Sequence, residues 1–412
     1  MSSSKVVLAA RAVRHKLRAV TALETFWPAV VRGGKLLARG RFRQFTGKLF
    51  NETASVRAAD AAPTRTGPPL VLAGHILRSG GYDTVVFALL KGLLEAGVNV
   101  VRDPGSVMKY ELIPESLRPA EATREGPHSR LAATPPHLLD RFHPDRRTAA
   151  FTMWETDTLP ANAVQALNRC GLVVVPSQWG AACFRANGVT VPIEVVPLGY
   201  DPEMFGRDVK RSTPAYTVFG TAGALDDGGF RKNVQRTIEL FRTAFPNEPE
   251  VRLRVKITPA SPPVQTHGDS RIEVIRHSLA PAELAEWYRS LSAFVNASFG
   301  EGFGLHLLEA MACGRPIVSS TFGGVGEFFD ASVGYEVGYR LIEANNAIYR
   351  GRWAEPDDGE LIAAMRRIHS DPVEADRLGE RSAERALRFT WADTTRQLIE
   401  VLVRRGFLRE TA

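Results

Sequence analysis

Short apolar runs alternate with helix-period stretches from residue 70 almost to the C-terminus, and that alternation leaves a chain few ways to fold. Residues 70–74 (Leu-Val-Leu-Ala-Gly) read as a strand, and the loop Arg78-Ser79-Gly80-Gly81-Tyr82 follows. Residues 84–96 have helical spacing closed by Gly97, and residues 98–101 are the next strand. A strand, glycine loop, helix, strand unit makes a parallel pair, because a crossover helix returns the chain to the same end of the sheet. Runs at 148–153, 172–176 and 193–197 extend this first sheet, with helical stretches at 160–170 and 180–186 between them. Beyond Phe205 a polar gap precedes a second series. It has strands at 216–220, 252–257, 272–275, 293–297 and 316–319, helices at 233–245, 281–290 and 303–313, and a mainly helical remainder carrying Leu398, Val401 and Leu402. A chain of 412 residues exceeds what one hydrophobic core usually serves, so the expectation is two doubly wound α/β domains with a crevice between their strand ends.

Charge is distributed unevenly along this frame. Residues 1–50 hold eleven Lys and Arg against Glu24 alone, a net +10, so of the chain's +7 the other 362 residues carry −3. Val13, Leu17 and Val20 fall at helical spacing beside Arg14 and Arg18. Phe26, Val30, Leu36, Leu37, Phe42 and Phe45 follow among cations, with Pro28 separating two helical pieces. Such a segment can lie on an anionic bilayer, where each Lys or Arg contributes about 1 kcal/mol. It can equally be a solvated or domain-packing extension. A nucleic-acid arm ranks below both, because no base-reading module follows, so no nucleic-acid partner is expected. Residues 52–69, rich in Ala, Thr and Pro, read as a linker. No apolar stretch approaches the roughly 20 residues of a spanning helix, and residues 6–10 are too short for a secretory core, so neither insertion nor export is implied. Cys170, Cys183 and Cys313 are widely spaced with no CxxC pair, which suggests neither a disulfide framework nor a zinc site and fits a reducing cytoplasm.

The strongest local signal is Ser298-Phe-Gly-Glu301-Gly-Phe-Gly-Leu-His-Leu-Leu-Glu309-Ala-Met-Ala-Cys-Gly314-Arg-Pro-Ile-Val. A strand ends near Ala297, a glycine-rich loop lets backbone amides approach a ligand, and a helix begins whose N-terminus favours an anion. With a helix start near Phe303, Glu309 lies about two turns in. One carboxylate can then address a sugar while the other grips hydroxyls farther along the ligand.

Two glutamates separated by seven residues, with these glycines and Gly314-Arg-Pro316 leading into a strand, resemble the donor signature of glycosyltransferase family four. Residues 197–205 (Pro-Leu-Gly-Tyr-Asp-Pro-Glu-Met-Phe) resemble that family's domain junction. Residues 175–179 resemble its preceding strand and turn, and Phe389-Thr-Trp391 resembles the start of its final helix. The resemblance covers roughly residues 70–405 and implies a GT-B fold, an α/β architecture of two Rossmann-like domains. The implied divisions are a basic extension and linker at 1–60, an acceptor domain at 61–205, a nucleotide-sugar donor domain at 206–388, and a final helix at 389–412 crossing back to the first domain.

The activity implied is retaining transfer of a sugar from a nucleoside diphosphate to a glycan or lipid-linked acceptor, as in surface polysaccharide or glycoconjugate synthesis, in the cytoplasm or on the inner face of its membrane. By the same resemblance Glu309 bonds the ribose hydroxyls, while Glu301 and the amides of Gly302, Phe303, Gly304 and Leu305 meet the transferred sugar and diphosphate. Ile275 and His277 flank the base, and Gly80 and Gly81 form the first domain's glycine loop. Arg231 and Lys232 neutralise the departing diphosphate, a task that falls to side chains because no Asp-x-Asp metal motif is present; no cofactor is expected. The family's Arg usually comes several residues earlier, where this chain reads Thr221-Ala-Gly-Ala-Leu-Asp-Asp-Gly-Gly229, so either Arg231 supplies that charge from a shifted loop or the site is weaker. The end of the strand at 148–153 lacks the family's frequent His. Tyr82, Trp154, Glu155 and Asp157 are the acceptor candidates there, Trp154 being as suited to the core as to stacking on a sugar. A sugar-nucleotide epimerase or hydrolase, and a non-catalytic membrane- or polymer-binding protein, are the competing readings.

Overall fold

The computed structural model describes residues 66–77, 80–122, 128–207, 216–223, 230–259, 261–344 and 346–409. The basic segment at 1–50, most of the linker, and Arg78 and Ser79 of the first glycine loop lie outside the described residues.

Six parallel strands make the first sheet: β1 (Thr66–Ala73), β2 (Val98–Arg102), β3 (Arg130–Ala133), β4 (Thr148–Phe151), β5 (Leu172–Val175) and β6 (Ile193–Val195), in the order β2-β1-β3-β4-β5-β6. Strands β4 and β5 are buried along their whole length, as strands covered by crossover helices must be. The helices here are α1 (Gly81–Glu95), α2 (Ala161–Arg169) and α3 (Gln178–Ala186). A second parallel sheet holds β7 (Thr217–Gly223), β8 (Val251–Ile257), β9 (Ile272–Ile275), β10 (Ala293–Val295), β11 (Ile317–Ser319) and β12 (Tyr335–Glu336), in the order β12-β11-β10-β7-β8-β9. Its helices are α4 (Val234–Ala244), α5 (Pro281–Arg289), α6 (Leu305–Ala312), α7 (Asp358–Ser370) and α8 (Pro372–Ala386). Helix α9 (Trp391–Arg404) returns to the first sheet, where Leu398, Val401 and Leu402 share a core with Leu89 and Leu93 of α1.

Four features depart from the sequence reading. β1 starts at Thr66, inside the expected linker. Its prolines, Pro68 and Pro69, are tolerated because β3 pairs with β1 only from Val71 onward and the register against β2 shifts between Thr66 and Leu70. β3 was not anticipated, since Arg-Leu-Ala-Ala has little intrinsic strand preference and is a strand only through its two neighbours. The stretch after β11, expected to be mainly helical, contains β12 and an antiparallel hairpin, β13 (Tyr339–Glu343) and β14 (Arg352–Pro356). Helix α6 begins at Leu305 instead of Phe303, which leaves Glu309 about one turn in and not two.

The hairpin joins the two halves. Asp157, beyond β4, accepts from the Arg352 amide (2.7 Å) and pairs with its guanidinium (2.9 Å). Trp353 is fully buried against Phe299, at 5.2 Å between ring centroids.

Candidate active site

The loop from Asn296 to Gly304 leaves the end of β10 and delivers the chain to α6. Gly304 caps that helix at φ 101°, a left-handed conformation that an L side chain rarely adopts, and it brings no capping side chain. The Leu307 amide bonds to the Gly304 carbonyl at 2.9 Å, and the amides ahead of it lie at the helix N-terminus, where the peptide dipoles favour an anion. Gly300 and Gly302 permit a second approach. A Cβ on Gly300 would clash with the Glu155 carbonyl, and one on Gly302 would lie 2.6 Å from Met153 Cγ. The strand ends of the first half thus press directly on the glycine loop of the second.

Glu301 is buried at 5% exposure, yet it is held by cations. Lys232 Nζ lies 2.8 Å from both carboxylate oxygens, and Arg231 Nη1 lies 3.3 Å from Oε2 while donating to the Gly300 carbonyl at 2.6 Å. Burial alone would favour the neutral acid, but Lys232 and Arg231 hold the Glu301 carboxyl well below the usual range, so it is a carboxylate. The helix expected at 233–245 starts at Val234, after Asn233 at φ 50°, and the turn before it carries both cations, whose side chains reach the loop. Arg231 thus reaches the loop carboxylate from this turn. Residues 224–229, where the family's Arg would fall, lie outside the described residues.

Glu309 is half-buried and accepts from the Tyr288 hydroxyl at 3.0 Å. Burial pushes its carboxyl up to about 7, with Tyr288 and Lys256 pulling the other way. The two glutamates thus differ: one is fixed as an anion, the other is poised between charged and neutral near pH 7.

Two site residues escaped the sequence reading. His306 Nε2 is buried without a hydrogen-bond partner among the described residues, 3.8 Å from Glu301 Oε1, and burial pushes its imidazole down to about 3. Its place directly after the loop and Leu305 was the available signal. Lys256 lies beside Ile275 where β8 pairs with β9, and burial lowers its basicity. An ammonium next to the last residue of an alternating strand, Val-Arg-Leu-Arg-Val-Lys-Ile, was the hint.

The other candidates separate. Phe303 is 1% exposed and packs on Phe328, so only its backbone can meet a ligand. Ile275 is half-buried at the end of β9, and His277 is exposed just beyond. Gly80 and Gly81 face open space, where the protein itself does not demand glycine. Three acceptor candidates need correction. Trp154 is a core residue at 2% exposure, its Nε1 donating to Thr156 Oγ1 and the Thr158 carbonyl at 2.8 Å, so no face is free for a sugar. Asp157 is committed to Arg352 of β14. The Tyr82 hydroxyl accepts from the Met153 amide at 2.9 Å and lies 3.3 Å from Thr152 Oγ1, bracing the end of β4. Glu155 is half-buried with its carbonyl against Gly300.

Comparison with known proteins agrees with this fold. Residues 217–371, the second half, match the family model described as Glycosyl transferases group 1. The D-inositol 3-phosphate glycosyltransferase of Kineococcus radiotolerans is 30% identical over 185 residues, 41% of this chain and 39% of that protein. Its namesake from Streptomyces bingchenggensis is 31% identical over 126 residues, 30% of this chain and 24% of that protein. The matched segments thus span well under half the length of these curated relatives. Among solved structures, a sucrose-phosphate synthase from Thermosynechococcus elongatus superposes with a TM-score of 0.62 at 16% identity, over 82% of this chain and 99% of that one. Anabaena HepE in complex with UDP and glucose gives 0.60 at 14% identity, over 82% and 99%. Two parallel six-stranded sheets facing one another across a glycine loop define the fold as GT-B.

Proposed function

We propose that this chain is a glycosyltransferase that moves a sugar from a nucleoside diphosphate to an acceptor hydroxyl with retention at the anomeric carbon. The observation that carries the reading is Glu301, a buried carboxylate gripped by Lys232 and Arg231 beside the open N-terminus of α6. In this reading the diphosphate sits on the loop amides of residues 302–305, Glu309 accepts from the ribose hydroxyls, and the backbone at Ile275 and His277 flanks the base.

The chemistry follows from the charges. As the anomeric C–O bond breaks, its electron pair passes to the departing phosphate oxygen, and the two cations, which outnumber the carboxylate by one, stabilise that charge where water is excluded. The acceptor oxygen bonds to the anomeric carbon on the same face, and its proton goes to the phosphate oxygen. Glu301 stabilises positive charge on the sugar without bonding to it. The match of residues 217–371 to the group 1 glycosyl transferases supports the reading, as does the likeness to a protein solved with UDP and glucose. With side-chain cations in this role, transfer is expected to survive chelation by EDTA.

A glycan or lipid-linked acceptor of surface polysaccharide synthesis, reached from the inner face of the membrane through residues 1–50, completes the proposal. Among the described residues no helix is long and apolar enough to cross a membrane. Deleting residues 1–50 is expected to release the protein from sedimenting vesicles; unchanged pelleting removes the membrane part.

A thermal-shift panel of nucleoside diphosphates, led by UDP, tests the core of the reading, since a ligand that binds only the folded state raises its melting temperature. The expected outcome is protection by one nucleotide, lost in Glu309→Ala and kept in Glu301→Gln, with transfer lost in both. Protection by none of them overturns the donor site. Release of free sugar without glycoside formation would favour a hydrolase or epimerase instead.

A further inference from the structure

Lys232 carries two demands. Its ammonium lies 2.8 Å from each oxygen of Glu301, and an ammonium has three donors, so spanning the carboxylate leaves one for a departing diphosphate unless the side chain turns. The two carboxylate oxygens would fare differently if it did. Oε2 would keep Arg231 Nη1 at 3.3 Å, a group anchored on the Gly300 carbonyl at 2.6 Å. Oε1 has Lys232 as its one hydrogen-bond donor among the described residues, with His306 Nε2 beyond it at 3.8 Å. A buried carboxylate oxygen stripped of its donor is strongly disfavoured.

His306 stands where that loss would fall. It is the second residue of α6, and its ring meets Phe294 of β10 edge-on at 5.7 Å between centroids, which restricts where Nε2 can point. That nitrogen is buried and has no hydrogen-bond partner among the described residues. Facing an anion it carries the ring proton, because a lone pair there would repel the carboxylate. Burial, reinforced by Lys232, Arg231 and Lys256, keeps the ring from taking a second proton against the pull of Glu301, so it is a neutral donor. A movement of about 1 Å brings the Nε2–H to hydrogen-bond distance of Oε1.

We propose that His306 is a positioning residue: as Lys232 turns to the diphosphate, the His306 Nε2–H takes its place on Oε1, and Glu301 keeps its charge and its aim at the transferred sugar. That a diphosphate draws Lys232 away rests on the glycosyl-transfer reading; that His306 takes over Oε1 once Lys232 is gone does not.

The test removes the ammonium and needs no ligand. In full-length Lys232→Met carrying 15N-labelled histidine, NMR of the His306 ring, assigned through His306→Gln, is expected to show an Nε2-bound proton shifted downfield and exchanging more slowly with water than in the wild type. The two positions should also couple in thermal denaturation. His306→Phe is expected to cost little in the wild type, where Nε2 has no partner among the described residues, and roughly 3–6 °C more in Lys232→Met, where it is the donor left to Oε1. His306→Gln, whose amide still donates, should recover most of that loss. An unchanged His306 signal in Lys232→Met, or losses that simply add, would overturn the proposal. In the wild type titrated with UDP the same downfield shift is expected; UDP that raises the melting temperature yet leaves the His306 signal in place overturns it as well, and this arm decides where Lys232→Met does not fold. If UDP gives no protection while the Lys232→Met signal shifts and the losses couple, it is the donor reading that falls and not the role of His306 at Glu301.

Discussion

Replacing Glu309 with Gln is expected to stabilise the unliganded protein at pH 8 while weakening its hold on nucleotide. Burial raises the Glu309 carboxyl from its ordinary 4.5 to about 7. The folded state therefore holds this proton more tightly than the unfolded state, and stability is lost as pH rises from about 4.5 through about 7. At about 1.4 kcal/mol per pH unit, the full cost above that window is about 3 kcal/mol. Gln keeps the shape and still offers an oxygen to the Tyr288 hydroxyl, but it never ionises, so the variant escapes the cost. At pH 5 the wild-type carboxyl is already protonated in the folded state, and the gain shrinks to less than about 1 kcal/mol. A domain of this size gains roughly 2–4 °C per kcal/mol, so thermal denaturation at pH 8 should show the variant several degrees more stable, with the difference nearly gone at pH 5. UDP affinity should move the other way, by about tenfold, because a charge-assisted bond to the ribose becomes a neutral one. A variant that melts lower at pH 8, or shows the same difference at both pH values, refutes the reasoning.

Three other perturbations probe the rest of the site. Lys232→Met removes the ammonium that spans both oxygens of buried Glu301; urea denaturation should show a loss of roughly 3–5 kcal/mol, and single-turnover transfer should slow about 10²- to 10³-fold. The Glu301 carboxyl is depressed in the folded state, so its stabilising contribution is present above the ordinary carboxylate range and lost as pH falls below it. Melting temperatures scanned below pH 4.5 should accordingly drop in the wild type and flatten in Glu301→Gln. Gly351→Ala places a methyl group at φ 79° against Thr158 and Asp157; a loss of about 1–3 kcal/mol and faster limited proteolysis near the hairpin are expected, with nucleotide protection little changed.

The parts of this molecule that follow from local chemistry were legible in the sequence. The alternation of apolar runs and helical periods points to two parallel sheets, and the glycines ahead of Glu309 point to a loop that leads into a helix, because both depend on residues close together in the chain. What was hidden depends on distant partners. The pairing of Lys232 with Glu301 spans 69 residues and could be suspected only through resemblance. β3 owes its strand to its neighbours, and the hairpin at 339–356 hides among charged residues whose alternation is weak. Trp154 illustrates the limit most clearly: its sequence position suits a sugar platform, but Tyr349 and His137 press on it from distant segments and make it core.

The hairpin also sets how the two halves can part. Asp157 grips Arg352 from the first half, Trp154 lies on Tyr349 at 4.9 Å, and the Arg231 guanidinium sits 5.8 Å above that same Tyr349 ring. The halves also meet where Met153 abuts Gly302 and where the Gln178 amide donates to Glu327 at 2.8 Å, but the hairpin contact touches a cation beside Glu301. If the proposed transfer holds, parting the halves here to let a nucleotide leave would tug on Tyr349 and so on Arg231, tying its escape to the cations beside Glu301.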